Sequence, residues 1–128
     1  MNREAFVSSF HPHRPPREAY AGVGTVFFTF CVENRRPVLE GEVAHECAAV
    51  LRSVLPRHAS RGDVFCFMPD HAHVLASGML ESADVWQAIV ELKQITGRWF
   101  WERKLGIRWQ RGFDARIMKP HQSLDAVI

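Results

Sequence analysis

The chain has 128 residues, enough for one domain with a sizeable core, and its 47% apolar and 23% charged residues match an ordinary soluble globular protein. No apolar run approaches the ~20 residues of a membrane helix, and the opening "MNREAFVSSFHPHRPPREAY" lacks the apolar stretch and small-residue cleavage site of a signal peptide. The net charge is only +2, yet residues 37–90 hold three Lys/Arg against seven Asp/Glu, while residues 91–119 hold eight against three.

Residues 1–19 contain Pro12, Pro15 and Pro16 with few apolar positions, and are expected to form a flexible arm ahead of one domain over 20–128. "GTVFFTFCV" (24–32) is β-branched and aromatic, with threonine as its one polar type, which suits a central strand. "NRRP" (34–37) breaks it. From Glu42 the period changes. Val43, Cys47, Val50, Leu51, Val54 and Leu55 make a single helical stripe that Pro56 is expected to stop. "DVFCFM" (63–68) is a second strand. Met68-Pro69-Asp70-His71 makes a tight turn, and "HAHVLAS" (71–77) is the returning strand.

Ser82 is placed to N-cap the next helix, with Asp84 in its first turn. Val85, Ile89, Leu92, Thr96 and Trp99 trace its apolar stripe, Gly106 lies beyond its end, and "IRWQRGFDARIM" supplies a last strand. The order β-α-β-β-α-β predicts an α+β fold of the ferredoxin-like split β-α-β type. Its antiparallel sheet would carry the helices on one face, with the first and third strands central. The three cysteines, Cys31, Cys47 and Cys66, form no CxxC pair and read as reduced core thiols of a cytoplasmic protein.

The chemistry concentrates in "FMPDHAHVLAS" (67–77). On a strand, residues i and i+2 share a face, so His71 and His73 project together while Ala72 points away. Two imidazoles on a rigid strand can ligate one divalent metal if a third ligand arrives from elsewhere. Alone, an HxH pattern says little: "HPH" (11–13) is another copy, in the Pro-rich arm, with no assigned role. A His-x-His-x-His hydrolase triad fails at Leu75. A paired His-x-Ser/Thr phosphodiesterase motif fails because Val74 and Leu75 follow His73 and no second copy exists. A zinc site recruiting Cys66 lacks a further nominated ligand.

"FMPDHAHVL" resembles the Met-Pro-Asn-His-hydrophobe-His block of the HUH single-strand transposases, which include one-tyrosine insertion-sequence enzymes and REP-associated tyrosine transposases. "VFFTFCVENRRPVL" resembles that family's first strand and Arg-Pro turn. "ELKQITGRWFWERKLGIRWQRGFDARIM" resembles its Lys-bearing helix and Trp-Gln-x-x-Phe-x-Asp segment, so the likeness spans about residues 20–119. It implies binding of single-stranded or hairpin DNA, with Mg²⁺ or Mn²⁺ held by His71 and His73. It further implies strand cleavage and rejoining through a tyrosine that forms a 5′-phosphotyrosine link.

The catalytic tyrosine is expected beyond Ile128, because Tyr20, the one tyrosine present, precedes the first strand and matches no catalytic position. Lys93 matches the family's helical lysine, and Arg98, Arg111 and Arg116 would add general phosphate attraction. Trp99, Trp101 and Trp109 are read as core rather than as base-stacking platforms. Asp70 is chiefly a turn residue that could orient a histidine. No membrane partner is expected, and a homodimer is left open. The alternative function is a non-catalytic nucleic-acid-binding module on the same sheet; a zinc hydrolase using Cys66 ranks last.

Overall fold

The computed structural model describes residues 15–118. Strand β1, Gly24–Cys31, lies in the middle of a four-stranded sheet. Helix α1 (Gly41–Arg57) follows, then the hairpin β2 (Ser60–Met68) and β3 (His71–Gly78), helix α2 (Val85–Glu102) and the short edge strand β4 (Asp114–Met118). The sheet order is β2-β3-β1-β4, and every neighbouring pair is antiparallel. This is the predicted split β-α-β arrangement with β1 and β3 central. Of the expected arm, residues 1–14 lie outside the described residues. Arg17–Tyr20 forms a 3₁₀ turn, and Arg17 pairs with Asp84 at 2.7 Å.

Alternation along the central strands decides which face meets the helices. Val26, Phe28 and Phe30 of β1 and Ala72, Val74 and Ala76 of β3 are all at most 2% exposed. They form one core with Leu51 and Val54 of α1 and Ile89 and Leu92 of α2. Removing this apolar surface from water, at about 25 cal/mol per Å², is what docks both helices on the same side of the sheet. On β2 a bulge between Gly62 and Val64 resets the alternation, so that Phe65 and Phe67 pack towards that core. Gly78 closes β3 where a Cβ would meet the Gly22 carbonyl oxygen, a close approach that only glycine permits.

Four local expectations are corrected. The first helix runs one residue past Pro56 to Arg57. A proline in the last turn forfeits one i−4 hydrogen bond, and the chain leaves through the His58 N–H, which donates to the Leu55 carbonyl, and the Ala59 N–H, which donates to that of Pro56, both at 3.0 Å. Asp84, not Ser82, caps α2: its Oδ1 accepts from Gln87 N at 3.1 Å. The last strand covers only residues 114–118, because the chain before it meets the end of β1 through the isolated Val32–Trp109 bridge rather than a continuous ladder.

The fourth concerns the cysteines. Cys47 is buried, which pushes its thiol up to about 12, and Cys31 is buried and raised by the same cause. Cys66, however, is exposed on the edge strand β2. Its neighbours Phe65 and Phe67 turn to the core, so position 66 faces the other way.

Candidate metal and DNA site

The register of β1 against β3 and β4 lays the residues of the face opposite the helices out in rows. Across one row, Cys66, His73, Thr29 and Asp114 are consecutive partners on β2, β3, β1 and β4. The next row towards one end holds Met68, His71 and Cys31; the row on the other side holds Val64, Leu75, Phe27 and Arg116. His71 and His73 are thus side by side on a central strand, with ring centroids 4.8 Å apart and planes at 79°.

Each imidazole is oriented through its Nδ1. The Asp70 carboxylate can only accept, so His71 Nδ1–H donates to Asp70 Oδ1 at 2.7 Å, and in the neutral ring Nε2 carries the free lone pair. His73 Nδ1 lies 3.1 Å from Thr29 Oγ1, which can accept its proton and leave Nε2 as the ligand atom in the same way. Phe27 stacks on the His73 ring, with centroids 5.4 Å apart and planes at 15°. Burial, and then the charge of His71 beside it, hold His73 below the ordinary imidazole value, so it is neutral and able to ligate at pH 7.

Asp70 is itself held. Arg35 Nη2 and Nε both lie 3.0 Å from Asp70 Oδ2. Burial pushes the Asp70 carboxyl up, but hydrogen bonds from His71 and Arg35 outweigh it, and the group stays below its ordinary value. The turn that carries it is pinned by Val32 N to Asp70 O at 3.0 Å and Leu39 N to Pro69 O at 2.8 Å. Arg35 adopts φ 51°, next to Asn34 at 62°, a backbone region that side-chain-bearing residues enter at a cost of about 1–3 kcal/mol. The ion pair to Asp70 is one of the contacts that hold it there.

The donor set fits two positions of a divalent cation: two imidazoles on one face, each with Nδ1 engaged by oxygen. Among the described residues, no group of three or more His, Cys, Asp or Glu side chains could hold a metal ion, so Cys66 completes no zinc site. Tyr20 does not approach the histidines. It is 1% exposed and packs on the helix side against Phe28 and Trp86.

The four basic residues singled out in the sequence do not converge. Arg116 is exposed on the histidine face, one row from His73. Arg98 is on the outside of α2 and pairs with Glu102 at 3.3 Å. Arg111 is exposed on the segment before β4. Lys93 turns inward: its Nζ donates to Gln110 O at 2.8 Å and to Gly112 O. It therefore ties that segment to α2. Trp109 does the same through Nε1 to Thr96 Oγ1 at 2.8 Å.

Trp99 and Trp109 are half-buried, but Trp101, expected in the core, is 80% exposed, because the buried aromatic of that turn is Phe100. Sequence reasoning missed Thr29, Phe27 and Arg35. The only signal was a threonine in the middle of an otherwise apolar strand.

A family model described as "Transposase IS200 like" matches residues 24–127. Among solved structures, a REP-associated tyrosine transposase bound to a REP hairpin aligns with TM-score 0.71 and 19% identity, covering 92% of this chain and 67% of that one. A Deinococcus radiodurans R1 protein assigned as a transposase aligns with TM-score 0.65 and 17% identity, covering 89% of this chain and 92% of that one. No protein in the curated set matches.

Proposed function

The chain belongs to the IS200-like transposase family, and from that premise we propose that it binds single-stranded or hairpin DNA and supports metal-dependent cleavage and rejoining of a DNA strand. The observation that carries this reading is the histidine pair: adjacent imidazoles on a rigid strand, each with its Nδ1 held by an oxygen. His71 and His73 would hold Mg²⁺ or Mn²⁺ through Nε2. A cation there would supply charge to polarise the scissile phosphate.

The other groups prepare the site. Asp70 and Arg35 fix the tautomer and orientation of His71. Thr29 and Phe27 do so for His73. Arg116 gives the same face a positive charge towards the phosphate backbone, and Arg98 and Arg111 add to the longer-range attraction. Lys93 contributes by holding the segment that carries Arg111. We place the attacking tyrosine outside residues 1–128, since Tyr20 is buried under the other face. That same burial favours the second reading, a non-catalytic DNA-binding module.

Mixing this chain with end-labelled hairpin DNA and Mn²⁺ tests the assignment. The expected result is salt-dependent binding, with log K falling as log salt rises, and no protein–DNA adduct on a denaturing gel. A protease-sensitive shifted band lost on Tyr20→Phe would contradict it. Absence of binding at low salt would remove DNA as the partner.

A further inference from the structure

We propose that the groove between α2 and residues 104–113 is a second DNA contact, taking an unpaired base of the single strand that flanks a hairpin, stacked on Trp101. It rests on the reading above that DNA is the partner, but it uses none of the residues of the histidine face. The groove has a volume of about 1300 Å³, above the ~300–1,000 Å³ of a small-molecule pocket and suited to a short stretch of polymer.

Three observations point to a nucleotide. First, Trp101 stands on the groove with 80% of its surface exposed, while the other described aromatics of α2 are at least half-buried. One turn earlier, a Cβ added at Gly97 would meet nothing within 4 Å, so the ground beside the indole is open. Second, the rim is cationic: Lys104, Arg108 and Arg111 are all exposed, while Glu102 pairs with Arg98 at 3.3 Å and Glu33 lies 3.8 Å from Arg108. An apolar protein helix would need the indole but not these charges, and a bare phosphate would need the charges but not the indole. A nucleotide uses both, through stacking and through its phosphate.

The third observation is placement. The groove's outer wall continues the sheet, because Gln110 N donates to Cys31 O at 2.8 Å, and Cys31 is the register partner of His71. The wall therefore stands two strand spacings from the histidine pair, roughly 10 Å. Because α2 packs on the face of the sheet opposite the histidines, a strand leaving His71 would round this end of the sheet to enter the groove. Lys93, bonded to carbonyls on the wall's inner side, keeps the wall in position.

The test measures the affinity of the full chain for a fluorescent hairpin with blunt ends and for the same hairpin with single-stranded flanks. The flanked hairpin should bind about five- to 150-fold more tightly, the range of a single base–aromatic stack. Trp101→Ala should abolish the difference and Trp101→Phe should keep most of it. Because Trp101 is exposed, the alanine variant should melt like the parent, and a thermal scan verifies that.

Equal affinity for both hairpins, or a preference that survives Trp101→Ala, overturns the groove assignment and leaves the DNA reading in place. Failure of both hairpins to bind overturns the two together. Self-association of the chain that Trp101→Ala abolishes would give the groove to a second copy and overturn the proposal.

Discussion

The two faces of the sheet are made from the same strands and differ in everything else. On β1, Val26, Phe28 and Phe30 are sealed under the helices, while the residues between them, Phe27 and Thr29, meet His73. On β3, Ala72 and Val74 belong to the core, and His71 and His73 to the site. Because side chains alternate with a period of two, a one-residue slip would bury the histidines and expose the core. The covered face thus fixes the register that the other face uses, and the site inherits its precision from packing it does not touch.

Adjacent phenylalanines give the sharpest contrast. Phe28→Ala empties a site in the core beside Tyr20 and Phe113, and should cost about 3–5 kcal/mol in a urea melt. Phe27→Ala, on the opposite face, should cost less than half of that and should weaken Mn²⁺ binding by loosening His73. Equal losses of stability would mean that the two faces are not energetically distinct.

Smaller effects should separate orientation from folding. Asp70→Ala frees His71 Nδ1 and should lower Mn²⁺ affinity about 10–100-fold, with stability changed by no more than about 1 kcal/mol beyond the loss of an exposed ion pair. Asp70→Asn keeps an acceptor for Nδ1–H and should retain most of the affinity. Calorimetry on the three proteins shows whether the carboxylate acts through the histidine.

The smallest effect lies on the helix side. His58 and Arg57 hydrogen-bond Glu91 and, against a lesser push from burial, hold it below the ordinary carboxylate value. A depressed folded value means that the stabilisation is full above the ordinary carboxylate range and is lost as pH falls through the folded value. Glu91→Gln should flatten that acid limb by no more than about 1 kcal/mol. Mn²⁺ affinity should be the same for both proteins at neutral pH.

The element order and the pairing of His71 with His73 on one face were legible because both follow from periodicity within a single segment. Their supports were not. Thr29 reaches His73 across 44 residues of sequence, through a β1–β3 register that three-dimensional packing sets. Lys93 and Trp109 stood out as a cation and an aromatic, but no local pattern shows that their polar atoms join α2 to residues 109–112. Nothing in "GRWFWERK" tells which ring faces solvent: Phe100 is buried and Trp101 exposed because α2 turns that edge to the second, smaller core beside Leu39 and Ile107. Ser82 and Asp84 were both competent caps, and the one whose carboxylate reaches Gln87 N won.

The central claim is that the face opposite the helices is built around the His71–His73 pair as a divalent-cation site. Isothermal calorimetry with Mn²⁺, comparing this chain with a His71→Ala, His73→Ala double variant of equal melting behaviour, tests it most directly. Weak binding by the parent and none by the variant is the predicted result, since two ligands of a larger set are present among the described residues. Equal heats from the two proteins would contradict the account and leave the histidines as polar members of a structural strand.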